Sequence, residues 1–227
     1  MKPKTLDHVA LWVADRDPIA DFVTERLGMH VIDRTDAFTL VGADARRFKL
    51  TLFAAEGPRE RGALKHVALR VDDLGAALKS LDGVQVDRPL HGEAYFDVAE
   101  GLRLGLVEAP TENDYDLDHV ALFSIDPEAT SLEYAQLGFD RAGDKRVEVD
   151  GTYVRFDPGE PGDPERPLLN HLAVLVDSAE AHRAEAEQLG IAVADFVDAP
   201  NTLAVFVWGP ERVKVEYVEH KPTFSLV

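Results

Sequence analysis

The chain has 227 residues, enough for one large or two small domains, and its 45% hydrophobic and 29% charged residues, with Gly and Pro near ordinary usage, exclude disordered and fibrous classes. Its 24 Lys and Arg against 42 Asp and Glu give a formal net charge of −18 with no local basic stripe, so nucleic acid is not an expected partner. Without cysteine there is no disulfide, thiolate metal site or cysteine nucleophile, and any metal must rest on His and carboxylates.

The opening MKPKTLDHVALWVADRD meets Asp7, His8 and Asp15 too early to be a signal or membrane segment, so a cytoplasmic location without membrane association is expected. The acidic excess fits either a salty cytoplasm or ordinary solubility. In LDHVALWVAD, from Leu6, the residues alternate as in a strand: Val9, Leu11 and Val13 point one way, His8, Ala10 and Trp12 the other. DPIADFVTERLG then reads as a helix, with Asp17 and Pro18 suited to N-cap and N1 and Gly28 to the C-terminal cap. Short β-branched or aromatic runs follow, ending in KLTLF.

The same order recurs from Leu64 (LKHVALRVDD), Leu117 (LDHVALFSID) and Leu169 (LNHLAVLVDS), with final strands LRLGLV, TYVRF and VKVEYV. The recurring histidines, His8, His66, His119 and His171, are 58, 53 and 52 residues apart. The predicted class is therefore α+β: four tandem βαβββ units paired into two half-open barrel domains. The acidic stretch APTENDYD suggests a boundary giving domains 1–110 and 111–227, each with two units, and the histidine faces should line a ligand cavity.

The DHVAL motif and the four-unit layout resemble the vicinal oxygen chelate superfamily, which includes glyoxalases, bleomycin-resistance proteins and extradiol ring-cleaving dioxygenases. That resemblance implies half-open barrels around a divalent metal held by the first and last strands of paired units. The two-domain layout looks most like the extradiol enzymes and implies a catechol-like small-molecule substrate, dioxygen, Fe(II) or another divalent metal such as Mn, Zn or Ni, and a possible homo-oligomer.

Aligning the last strands by their alternation puts Thr51, Gly105, Arg155 and Glu216 at one inward position, where only Glu216 is a carboxylate. His119, His171 and Glu216 thus form a candidate 2-His-1-carboxylate set in the 111–227 domain, and these positions match those of the iron ligands that the resemblance implies. The competing reading makes the two histidines inherited core residues and pairs Glu216 with Arg155. His8 and His66, whose own units offer only Thr51 and Gly105, read as structural, and His182 and His220 as solvated.

Extradiol enzymes of this layout carry two further histidines and a tyrosine near the iron. Here Asp157 stands where one histidine is expected and Phe206 where the tyrosine is. Asp157 is the candidate base, and Tyr153 and Arg155 could position an anionic oxygen or form a packed Arg–carboxylate pair. A glyoxalase-type isomerase or lyase and a non-catalytic binding protein are the alternatives. The first usually has a fourth protein ligand where this pairing puts Arg155, and the second usually lacks the ligand set.

Overall fold

The computed structural model describes residues 2–112 and 114–227. The first unit is β1 (Thr5–Val13), α1 (Asp17–Leu27), β2 (His30–Arg34), β3 (Phe38–Gly42) and β4 (Lys49–Ala54). The second is β5 (Leu64–Val71), α2 (Leu74–Lys79), β6 (Glu93–Asp97) and β7 (Arg103–Glu108). The third is β8 (Asp116–Ser124), α3 (Pro127–Gln136), β9 (Asp140–Arg141), β10 (Arg146–Val149) and β11 (Thr152–Pro158). The fourth is β12 (Leu169–Leu175), α4 (Ala179–Gln188), β13 (Val193–Asp198), β14 (Thr202–Trp208) and β15 (Lys214–His220).

The α+β repeat expected from the sequence is present, with one loss. In the second unit a single bridge, Asp87 to Tyr95, replaces a strand, in a stretch interrupted by Pro89 and Gly92. The side chains of Asp73, Asp126 and Ser178 cap α2, α3 and α4, whereas Asp17 lies inside α1 rather than capping it. Gly28 closes α1 at φ 67°, a left-handed conformation that favours glycine. Among the described residues no helix is long and apolar enough to cross a membrane.

The pairing of units differs from the expected division at 110/111. One sheet of eight strands runs β13-β14-β15-β12-β1-β4-β3-β2, and the other, of seven, runs β6-β7-β5-β8-β11-β10-β9. The first unit therefore joins the fourth through antiparallel β1 and β12, and the second joins the third through β5 and β8. The acidic stretch 109–116, of which Asn113 lies outside the described residues, connects neighbouring parts of one sheet.

The chain changes sheets instead at 55–63 and 159–168. These two crossovers run together: the Glu60 amide donates to the Arg166 carbonyl at 2.9 Å and the Leu168 amide to the Glu60 carbonyl at 2.7 Å. Neither sheet closes into a barrel. One apolar core includes Val9, Val67, Val120 and Leu172 from the four leading strands, all fully buried. Phe22 of α1 meets Phe96 of β6 at 5.6 Å between ring centroids, so the two sheets share that core.

Candidate metal centre

The parallel ladders confirm the inward position read from the sequence, since Ala10 faces Thr51, Ala68 faces Gly105, Ala121 faces Arg155 and Ala173 faces Glu216. The β1–β12 pairing then decides which residues meet. It juxtaposes Ala10 and His171, with an extra residue in β1 between Leu6 and His8 and one in β12 between His171 and Leu169, and such irregularities re-aim side chains. His8, His171 and Glu216 converge as a result, their donor atoms within 4.8 Å of one another.

His8 Nε2 lies 3.0 Å from His171 Nε2, and Glu216 Oε2 lies 3.1 Å and 2.8 Å from those two atoms. Three ligands on adjacent octahedral positions about 2.1 Å from an ion would stand about 3.0 Å apart, against about 3.4 Å in a tetrahedron. The observed triangle fits the facial octahedral arrangement. Glu216 Oε2 is buried and makes no directional hydrogen bond. Two imidazole nitrogens and a carboxylate oxygen closing on one buried point form a donor set that suits a divalent metal.

The surrounding groups prepare the same centre. Asp7 Oδ1 accepts from His8 Nδ1 at 2.7 Å, which leaves the Nε2 lone pair of the neutral ring facing inward. Asp7 Oδ2 accepts from buried Lys49 Nζ at 2.9 Å and lies 3.0 Å from His220 Nε2. Burial opposes charge on both partners of the His8–Glu216 pair, but their mutual attraction wins. Glu216 is lowered to about 2, by His171 first and then by His8, and His8 is raised to about 9 by Glu216, helped by Asp7. A metal would take the place of the proton on His8.

The triad sits in a cavity of about 470 Å³. Its walls are largely apolar, with Phe38, Leu40, Phe53, Phe206, Phe224 and Leu226. Phe206 and Phe53 present their rings to His171, at 5.2 Å and 6.2 Å between centroids. The carboxy-terminal segment forms one wall: the Phe224 ring stacks on His220 at 4.1 Å, and Asn201 Oδ1 accepts from the Ser225 amide at 3.2 Å.

His119 does not join this centre, contrary to the expected set of His119, His171 and Glu216. It belongs to the other sheet, where its Nε2 lies 2.9 Å from His66 Nε2 and its Nδ1 donates to Asp118 Oδ1 at 2.7 Å. Burial first, and then His119, Arg155 and Lys65, push His66 down to about 2, so its ring is neutral beside His119.

The three residues expected to be catalytic also lie here. Tyr153 stacks on His119 at 4.6 Å, while Asp157 accepts from Lys65 at 2.7 Å and Arg155 at 3.1 Å. Arg155 is thus paired, but with Asp157 rather than Glu216. Neither residue lines the cavity of the triad.

The second histidine pair has no carboxylate because Gly105 occupies the position equivalent to Glu216, and the Tyr95 ring fills the space. A Cβ at Gly105 would fall 2.5 Å from Tyr95 Cε1 and 3.3 Å from Ala68 Cβ. Gly105→Ala should accordingly destabilise the protein by about 1–3 kcal/mol in urea titrations, with Tyr95→Ala in the same chain recovering part of the loss. An unchanged midpoint would show that the ring yields without cost.

Sequence reasoning missed His8, Asp7, Lys49 and His220 as parts of one centre. The DHVAL motif carried the signal for the first two, and the assignment failed on which units pair. His220 gave no signal, because nothing in its surrounding residues shows that the end of β15 turns toward Asp7. His182 is not merely solvated either, since its Nδ1 donates to the Ser178 carbonyl and its ring stacks on Tyr217 at 5.2 Å.

Residues 5–98 match the model of the Glyoxalase/Bleomycin resistance protein/Dioxygenase superfamily. No curated protein sequence matches the chain. Among solved structures, a "putative dioxygenase" from Bacillus subtilis superposes with a TM-score of 0.78 at 17% identity, covering 98% of this chain and 87% of its own. Glyoxalase I from Zea mays gives 0.74 at 18%, with coverages of 95% and 92%. The cppA protein of Streptococcus pneumoniae gives 0.64 at 16%, with 96% and 98%. Identities this low establish shared architecture and leave chemistry to the residues. Residues 5–98 thus carry a domain of the Glyoxalase/Bleomycin resistance protein/Dioxygenase superfamily, and the chain as a whole has the two-domain vicinal oxygen chelate fold.

Proposed function

We propose that the chain is an Fe(II)-dependent dioxygenase of extradiol type, or a close relative, acting on a catechol-like aromatic held through its vicinal oxygens. The observation that carries this reading is the compact triangle of His8 Nε2, His171 Nε2 and Glu216 Oε2 at the base of an aromatic cavity. Thr51 takes the fourth inward position, so the chain offers two imidazoles and one carboxylate and leaves the remaining coordination positions to substrate. A fourth strong protein ligand, usual in glyoxalase-type sites, is missing from that position.

Fe(II), when bound, would supply the redox path between a chelated catecholate and dioxygen. Phe53 and Phe206 flank His171 and would hold an aromatic ring against the triad, while the apolar walls exclude bulk water. Asp7 fixes the tautomer of His8. His220, the cavity imidazole outside the triad, replaces Asp157 as the group we assign to the substrate hydroxyl proton, with Asp7 orienting its Nε2.

Anaerobically reconstituted Fe(II) protein should consume oxygen with catechols and give ring-cleavage absorbance. Protein that binds iron and catechol without oxygen uptake would overturn the dioxygenase reading. Preferential zinc or nickel loading without oxygen chemistry would redirect it to an isomerase, and cavity occupancy without metal uptake to a binding protein.

A further inference from the structure

The cavity is electrostatically lopsided. Lys49 lines it, but its three N–H groups are committed to Asp7 Oδ2 at 2.9 Å, the Ala45 carbonyl at 2.8 Å and the Arg47 carbonyl at 2.9 Å. His220 is engaged with the same Asp7 oxygen, and His8 and His171 belong to the triad. Arg46 reaches the region at the wall residue Phe224, stacking over its ring at 5.0 Å and donating from Nη2 to its carbonyl at 3.5 Å.

Asp33, by contrast, lines the cavity with a half-buried carboxylate that has no hydrogen-bond or ion-pair partner among the described residues. It lies on β2, opposite Leu40 of β3, three strands away from β1. Three strand spacings amount to about 14 Å across a flat sheet, and less where the sheet curls. Asp33 is thus the carboxylate at the β2 end of the cavity that a substituent on a ring chelated at the triad can meet.

We propose, building on the reading of this cavity as a catechol-type chelate site, that its substrate bears a neutral or cationic hydrogen-bond donor at the end remote from the triad, and that Asp33 recognises it. A carboxylate there would be desolvated against apolar walls and an unpaired carboxylate, with no uncommitted cation to meet it. The net charge of −18 disfavours its approach as well. An ammonium or hydroxyl would instead gain a charge-assisted hydrogen bond.

Titration calorimetry under anaerobic conditions on the protein loaded with redox-inert Zn²⁺ tests this with catechol, dopamine and 3,4-dihydroxyphenylacetate. The last two share a ring and tail length and differ in tail charge. Dopamine should bind at least about tenfold more tightly than the acid, and Asp33→Asn should narrow the gap to under about threefold. Catechol binding with equal affinity for the two tailed probes, or a gap that Asp33→Asn leaves intact, would overturn the role of Asp33 while sparing the chelate reading. A protein that binds none of the three overturns both.

Discussion

His8→Ala should strip the protein of its divalent metal, while His119→Ala should leave it loaded. The two histidines occupy equivalent places in their repeats, so the contrast isolates the effect of pairing. His8 is half-buried against Glu216 and His171, whereas His119 faces His66 with Gly105 and a tyrosine ring where a carboxylate would be needed. Outer-shell changes at metal sites typically cost 10–100-fold in affinity, and loss of one of only three ligands should exceed that. Glu216→Gln, which keeps the shape and removes the anion, should match His8→Ala.

Metal content after dialysis, measured beside a thermal melt, separates loss of the ion from loss of the fold. His119→Ala should lower the melting temperature, because it leaves a cavity, takes the partner of buried His66 and takes one partner of buried Asp118, which keeps Arg70. Retained metal in His8→Ala with empty His119→Ala would show that the centre has been assigned to the wrong sheet. Wild-type protein should hold one equivalent per chain.

The contrast also shows what the sequence could convey. Period-two alternation in each leading strand fixed which side chains point inward, and the four parallel registers agree with that reading down to Thr51, Gly105, Arg155 and Glu216. Alternation says nothing about which of four near-identical strands exchange hydrogen bonds. The acidic stretch APTENDYD, read as a boundary, joined the third unit to the fourth, in line with the tendency of consecutive elements to be neighbours.

The deciding features are the crossovers at 55–63 and 159–168, which hydrogen-bond to each other across more than a hundred residues of sequence. Neither has a local signal of partnership. Lys49 was unreadable for a similar reason: a lysine opening a strand is ordinarily solvated, and only the folded chain encloses it with Asp7 and two carbonyls.

Asp7→Asn should combine a large loss of stability with a large loss of metal affinity. The Asp7 carboxylate is 2% exposed and meets Lys49, His8 and His220 at 2.9, 2.7 and 3.0 Å. Removing its charge leaves the Lys49 ammonium buried against neutral groups, and breaking a buried pair in this way costs about 3–5 kcal/mol. It also loosens the tautomer of His8, which should weaken metal binding by about 10–100-fold.

The acid limb of stability provides an independent check. Burial alone would raise the Asp7 carboxyl, but Lys49, His220 and His8 outweigh it and hold the group well below its ordinary value. With the folded value below an unfolded one of about 3.9, the stabilisation is fully present above that pH and is lost as pH falls through the folded value. Urea titrations of metal-free protein should therefore show a wild-type advantage over Asp7→Asn near neutral pH that shrinks on acidification toward pH 2. An advantage that stayed constant over that range would mean the ionised carboxylate contributes only shape. An unaltered metal affinity in the variant would detach Asp7 from the centre.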